Sequence, residues 1–145
     1  MAQQIQEIMT TQLHIVRSDT SLFDVARMMR DARIGDVLVT NRDGTLRGII
    51  TDRDIVVRAA ASGKHLDRTQ VGEICTDQIV KLEPTATVDE AVNLMRQHAI
   101  RRVPVVSNGQ PVGIVSIGDL AREKDPNSTL AQISSAASSM SRAAT

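Results

Sequence analysis

The sequence predicts an α/β (α+β) fold built from two copies of one β-α-β-β-α unit, packed sheet to sheet about a pseudo-two-fold axis. Residues 5–42 align with residues 71–108 without a gap, and the match resumes after a deletion of one residue in the next loop. Each copy also carries one amphipathic helix pattern and one pair of strand-like runs joined by a turn signal. A single copy of about 55 residues would bury little surface, so we expect the two copies to pack their sheets together.

The alignment depends on identities spread along the whole unit. Identical pairs include Glu7/Glu73, Ile8/Ile74, Thr10/Thr76, Gln12/Gln78, Met29/Met95, Arg30/Arg96, Ile34/Ile100, Val37/Val103, Val39/Val105, Gly44/Gly109, Gly48/Gly113, Ile49/Ile114 and Asp54/Asp119. Chance would not keep one register over such a length, so the chain is interpreted as a duplication.

Each copy is predicted to begin with a short strand and a capped helix. In the first copy the strand is expected at residues 13–16, and Ser21 followed by Asp24 is typical of a helix N-cap. Thr87 and Glu90 repeat this signal in the second copy. Apolar residues at helical spacing follow the first cap, at Leu22, Val25, Met28 and Met29.

Two β-rich runs and a second helix complete each copy. The runs are residues 37–40 and 46–51 in the first copy, and residues 103–106 and 112–116 in the second. Asp43-Gly44 and Asn108-Gly109 separate the runs and favour tight hairpins. A helix is expected to begin near Asp52 in the first copy and near Gly118 in the second.

The composition excludes several classes of function. The chain has 17 basic and 17 acidic residues, a formal net charge of zero, one Phe and no Trp or Tyr. Nucleic-acid and membrane-surface binders need clustered positive charge, and base stacking needs aromatic side chains. No apolar run approaches the roughly 18 residues that cross a bilayer, and no secretory signal is present. We therefore expect a cytoplasmic protein with no nucleic-acid or membrane partner.

Residue types that carry catalysis or bind metals are not clustered in the sequence. Cys75 is the only cysteine, so it is predicted to be a small buried residue without a disulfide partner. His14 and His65 have no partners at metal-ligand spacing, and the Ser and Thr residues have no companion base. We therefore expect no enzyme activity, no metal and no required cofactor.

Two motifs in register carry a family resemblance. They are Gly48-Ile49-Ile50-Thr51-Asp52-Arg53-Asp54 and Gly113-Ile114-Val115-Ser116-Ile117-Gly118-Asp119, and Arg101-Arg102-Val103-Pro104 precedes the second. Together they resemble a pair of CBS domains, the module named after cystathionine β-synthase, over residues 5–122. Within that family the chain is most similar to stand-alone CBS-pair proteins of the hypoxic-response type. CBS repeat 1 then spans residues 5–61, a connector residues 62–70, and CBS repeat 2 residues 71–124.

The Ser- and Ala-rich C-terminal tail, residues 125–145, is predicted to be weakly ordered or to form a short helix that needs a partner surface.

The resemblance implies a stand-alone regulatory or sensor module. Such a module would bind an adenosine nucleotide (AMP, ADP or ATP, with S-adenosylmethionine less favoured) in the cleft between the repeats. It would signal through a homodimer or an unidentified protein partner. The alternative is a ligand-free interaction module of a stress response.

The first motif suits an adenosine ligand chemically. A strand-to-helix junction presents free N–H groups to a phosphate, Gly48 permits close backbone approach, and Thr51 offers a hydroxyl. The Asp54 carboxylate can accept hydrogen bonds from ribose hydroxyls, and Arg53 can assist. The base is expected to pack against Ile15, Val16 and Ile50. Alternatively, Thr51 and Asp54 only cap their helix.

The resemblance also assigns charged residues to two unequal clefts. Arg101 and Arg102 would share a cleft with Thr51 and Asp54, where they would attract a phosphate; alternatively they form salt bridges with acidic neighbours. The weaker second cleft holds Ser116 and Asp119. It would receive Asp36, whose charge repels an anion. We therefore expect one nucleotide-competent site.

Overall fold

The structure is a computed structural model that describes residues 3–77 and 80–124. The predicted order of the tail, residues 125–145, lies outside the described residues. The strands are Ile15–Arg17 (β1), Asp36–Thr40 (β2), Leu46–Thr51 (β3), Arg102–Ser107 (β4) and Gln110–Ser116 (β5), and the helices are Leu22–Ala32 (α1), Asp52–Asp54 (α2), Val88–His98 (α3) and Ile117–Lys124 (α4). The predicted mixed α and β fold is confirmed.

The first sheet follows the predicted strand order, whereas the second lacks a regular first strand. In the first repeat β1 pairs in parallel with β2, and β2 pairs antiparallel with β3. In the second repeat β4 and β5 form an antiparallel pair. The counterpart of β1 there is a single parallel bridge between Leu82 and Val105, so the second sheet has one regular strand fewer.

The helix caps predicted from the sequence are present in both repeats. The Ser21 hydroxyl accepts a hydrogen bond from Asp24 N at 3.1 Å. The Thr87 hydroxyl accepts one from Glu90 N at 3.1 Å, and the Glu90 carboxylate accepts one from Thr87 N at 3.0 Å. Each cap satisfies amide groups that the first helical turn leaves without partners, which fixes where α1 and α3 begin.

Both hairpins turn at the predicted glycine steps. Asn108 and Gly109 have positive φ angles of 52° and 81°, as a two-residue turn between β4 and β5 requires. In the first hairpin Gly44 has a φ of 86°, and the Asp43 carboxylate accepts a hydrogen bond from Thr45 N at 3.0 Å. These turns set the register that carries each motif to the end of its last strand.

The described chain forms two compact units, which we call the first unit (residues 14–77) and the second unit (residues 3–13 and 80–124). Each sequence repeat starts with a leader, residues 5–10 or residues 71–76, that belongs to the unit holding the other repeat's helices and sheet. Among the described helices, none combines the length and apolar composition that a membrane span requires.

The leaders complete the two hydrophobic cores. Val71, Ile74 and Cys75 pack in the core of the first unit. Ile5, which aligns with Val71, packs in the core of the second unit and is fully buried. Ile5 N donates to Ala86 O at 2.7 Å, just as Val71 N donates to Thr20 O at 2.8 Å. Each unit is therefore completed in the same way by the leader of the other repeat, an arrangement we call the exchange of leaders.

Candidate functional site

The first motif ends β3 and starts a helix through a reciprocal cap. Asp54 N donates to the Thr51 hydroxyl at 3.1 Å, and Thr51 N donates to Asp54 Oδ2 at 3.0 Å. Within the described residues, Asp54 Oδ1 has no hydrogen-bond partner. The cap thus holds the carboxylate in place while its second oxygen can still accept a hydrogen bond.

The second motif has the same reciprocal cap, but the second oxygen of its carboxylate also has a hydrogen-bond partner. Ser116 N donates to Asp119 Oδ2 at 2.9 Å, and Asp119 N donates to the Ser116 hydroxyl at 3.1 Å. Asp119 Oδ1 in addition accepts a hydrogen bond from Arg122 Nη2. Asp119 is only 7% exposed, so its carboxylate is more enclosed than that of the half-buried Asp54.

The helices that follow the two motifs also differ. After α2 the chain continues as a wider π-helical turn, Ile55–Ala59, and then a 3-10 turn, Ala60–Ser62. The corresponding helix in the second repeat, α4, is a regular α-helix. Arg53 is exposed in the first motif, whereas its counterpart, Gly118, is buried.

Within each unit, the start of the preceding strand lies beside the motif. Asp36 pairs with Thr51 in the β2–β3 register, and Arg102 pairs with Ser116 in the β4–β5 register. Arg101 and Arg102 are exposed. Arg101 and Thr51 belong to different units, so the expected grouping of the Arg pair with the first motif stays a prediction, as does the grouping of Asp36 with the second.

Gly48 meets a packing requirement in addition to the ligand contact predicted for it. A Cβ atom at this position would lie 2.4 Å from Thr76 O and 2.9 Å from Cys75 Sγ, both in the leader that completes the first unit. Gly113 is in the same position in the second unit, where a Cβ atom would lie 2.3 Å from Met9 Sδ. Both glycines therefore permit a leader to lie directly on the last strand.

The three aliphatic residues expected to contact a base differ in exposure. Ile15 is 39% exposed, whereas Val16 and Ile50 pack into the core of the first unit at 7% and 0% exposure. Among these three, Ile15 alone presents substantial side-chain surface to a ligand.

Cys75 is buried, as predicted. Burial raises the pKa of its thiol, and the neighbouring Asp77 carboxylate raises it further. The side chain is therefore a neutral thiol in the core and not a reactive thiolate. In the described part of the chain, no three His, Cys, Asp or Glu residues are grouped as a metal site would need.

An apolar groove of about 460 Å³ lies between α3 and α4 in the second unit. Its apolar lining includes Val92, Met95, Ile100, Ile117, Leu120 and Ala121. Arg96 and Arg101 also line it, and Ile117 is 43% exposed. The sequence did not predict this groove, because it depends on how two helices that are distant in the sequence pack together.

The duplicated α+β repeat and its two capped motifs define a tandem-domain protein. The CBS domain family matches the chain twice, at residues 5–60 and 71–125. The chain therefore belongs to the CBS domain family and is a CBS-pair regulatory module.

Two curated proteins of similar length resemble it along most of the chain. The CBS domain-containing protein YhcV of Bacillus subtilis is 37% identical over 117 residues, which are 81% of this chain and 82% of that protein. Hypoxic response protein 1 of Mycobacterium tuberculosis is 36% identical over 117 residues, with the same coverage.

Solved structures show the same fold. The crystal structure of Hypoxic Response Protein I with two coordinated zinc ions has a TM-score of 0.78 and 35% identity, covering 83% of this chain and 98% of that one. The CBS domain pair of protein MJ0100 was solved in complex with 5-methylthioadenosine and S-adenosyl-L-methionine. It has a TM-score of 0.75 and 26% identity, and covers 88% of this chain and 100% of that one. The predicted likeness to hypoxic-response CBS pairs is confirmed.

Arg122, which lies in α4 one turn after the second motif, was not predicted from the sequence to contact Asp119. The signal was present, because Asp119 and Arg122 have the i, i+3 spacing at which charged side chains meet on a helix. Comparison with the first repeat would have shown that Val57 occupies the equivalent position.

Proposed function

We propose that the chain is a sensor module that binds an adenosine nucleotide (AMP, ADP or ATP) through the first motif. The observation that carries the proposal is the capped Asp54 carboxylate, one oxygen of which is held by Thr51 N while the other has no partner among the described residues. The MJ0100 pair, which was solved with two adenosine compounds, supports this choice of ligand class.

Each part of the nucleotide has a partner of suitable chemistry. The ribose hydroxyls donate to Asp54 Oδ1, which the cap already orients, so little side-chain entropy is lost on binding. The phosphate is an anion suited to the guanidinium groups of Arg101 and Arg102, and the exposed Arg53 of the first motif is also available. The base packs on Ile15. No catalytic step and no required cofactor is part of this function.

Adding nucleotide is expected to stabilise the folded chain. At a hundredfold excess over its Kd, a ligand that binds only the folded state raises the free energy of unfolding by about 2.7 kcal/mol. Asp54→Asn should remove most of this gain, because the amide cannot offer the same charged acceptor. The double variant Arg101→Ala/Arg102→Ala should do the same for nucleotides that carry phosphate. Thermal denaturation with AMP, ADP, ATP and S-adenosylmethionine measures all of these.

Asp52→Asn is the matched control, because Asp52 is exposed and this substitution removes the same charge from the same helical turn. It should keep the full gain. The proposal fails if no ligand stabilises the protein at millimolar concentration, or if Asp54→Asn keeps the gain that Asp52→Asn keeps.

The second candidate function, a ligand-free interaction module, is favoured by the groove between α3 and α4. Its exposed apolar surface needs a cover, and a second copy of the chain supplies one in a homodimer. In this case the reciprocal caps of both motifs are structural, and the helix faces carry the signal to a further protein partner.

Self-association through the groove is expected to depend on Ile117. Ile117→Arg places a charge on the groove wall, which an apolar interface cannot bury without cost. Sedimentation velocity at micromolar concentration should show a dimer for the unmodified chain and a monomer for this variant. Arg42→Glu, an exposed hairpin substitution, should leave the dimer intact. A monomeric unmodified chain, or a dimeric Ile117→Arg variant, would contradict this use of the groove.

A further inference from the structure

Arg122 gives the two motifs different chemistry although their sequences align. Its guanidinium donates to Asp119 Oδ1, while Ser116 N donates to Oδ2 of the same carboxylate. Each oxygen of Asp119 therefore already accepts a hydrogen bond from the chain itself, and Oδ1 is also ion-paired with Arg122. A ribose diol would need one of these oxygens as its acceptor.

The first repeat lacks this contact. Its residue equivalent to Arg122 is Val57, which is 46% exposed and has no group that can donate to Asp54. The cap occupies Asp54 Oδ2 in the same way as in the second motif, so the hydrogen bonding of the two carboxylates differs only at the remaining oxygen.

We propose that Arg122 acts as an internal competitor that closes the second motif to ribose, so that the chain binds one adenosine ligand at the first motif. This inference rests on the proposed function and adds the residue that determines the number of ligands. It also differs from the repulsion expected from Asp36, because it predicts that one substitution at Arg122 opens the second motif.

The energetics favour the guanidinium over a neutral hydroxyl. A hydrogen bond between charged groups is stronger than one between a charged and a neutral group, and solvent screens this one little at the buried Asp119 end. Arg122 is about one-third exposed, so part of the advantage is lost to water. We expect its removal to strengthen ligand binding at the second motif by about tenfold or more.

The test counts bound ligand by calorimetry with AMP, ADP and ATP. The unmodified chain should bind one equivalent, and Arg122→Val, which installs the residue of the first repeat, should bind two. Asp54→Asn/Arg122→Val should bind one equivalent, now at the second motif, whereas Asp54→Asn alone should bind none. Arg58→Val, which removes the same charge at an exposed position of the first repeat, should keep one equivalent.

The outcomes separate this inference from the proposed function. If the unmodified chain and Arg122→Val both bind one equivalent, the inference is overturned and the proposed function stands. If only Arg122→Val binds, the inference stands and the proposed site at the first motif fails. Binding by neither overturns both, and two equivalents in the unmodified chain overturn the inference. If circular dichroism shows that Arg122→Val is unfolded, Arg122→Met, which is unbranched, replaces it with the same expectations.

Discussion

Replacing Gly48 by alanine is expected to lower the free energy of unfolding by about 3 kcal/mol, the upper part of the usual range for overpacking. The new Cβ atom would lie 2.4 Å from the carbonyl oxygen of Thr76, and a backbone atom cannot turn away as a side chain can. The leader would have to move off β3, which would disturb the hydrogen bond from Thr76 N to Ile49 O. Urea denaturation measures the loss, and a thermal midpoint lower by roughly 10 °C should accompany it.

Gly113→Ala is the matched control for Gly48→Ala. A Cβ atom there would meet the Met9 side chain, which is flexible and can adopt another rotamer, so the expected loss is smaller. Gly63→Ala measures the cost of backbone strain without steric crowding, since Gly63 has a φ of 76° and a Cβ atom there would have no neighbour within 4 Å. Equal losses at Gly48 and Gly113, or a larger loss at Gly63 than at Gly48, would contradict the role assigned to the leader.

Local signals explain how much of the fold could be predicted. The caps at Ser21 and Thr87 and the hairpin turn at Asn108-Gly109 are decided by residues within a few positions of one another. The predicted third strand, residues 46–51, matches β3 at both ends. The first strand was expected at residues 13–16 but begins two residues later, at Ile15, and ends at Arg17, because alternating apolar residues do not mark where a short strand starts.

The exchange of leaders could not be predicted, and the reason lies in the duplication itself. Ile5 and Val71 align, and both fit the same kind of core position, so the sequence alone cannot tell which leader packs in which core. The sequence likewise did not show that Gly48 faces Thr76 of a leader, and the ligand contact expected of Gly48 stays a prediction.

The reciprocal caps of the two motifs could be predicted from the sequence, but the contact of Arg122 with the second cap could not. Thr51 and Asp54 were visible as a motif, and their reciprocal cap follows from the spacing. The contact of Arg122 with Asp119 depends on side-chain direction on α4, which a motif search does not consider. Positions at which the two repeats differ, such as Arg122, are therefore as informative about the site as the identical positions that revealed the duplication.

Replacing Ile5 by alanine is expected to destabilise the second unit by about 3 kcal/mol, because it removes three carbon atoms from a fully buried site and leaves a cavity. Ile5 packs in the same core as Val88, Val103 and Val115, which come from the second repeat. Hydrogen exchange read by mass spectrometry locates the effect. Peptides from residues 80–124 should lose more protection than peptides from residues 14–61, since local stability follows the unit that contains the cavity.

Val71→Ala is the reciprocal variant and should have the opposite pattern. Val71 is fully buried in the core of the first unit, so peptides from residues 14–61 should lose protection first. Gln6→Ala, an exposed change in the same turn as Ile5, should leave both sets of peptides unchanged. If each leader instead packed on its own repeat, Ile5→Ala would expose residues 14–61 and Val71→Ala residues 80–124. The pair of variants thus separates exchanged leaders from unexchanged ones, because the two arrangements predict opposite peptides for the same two substitutions.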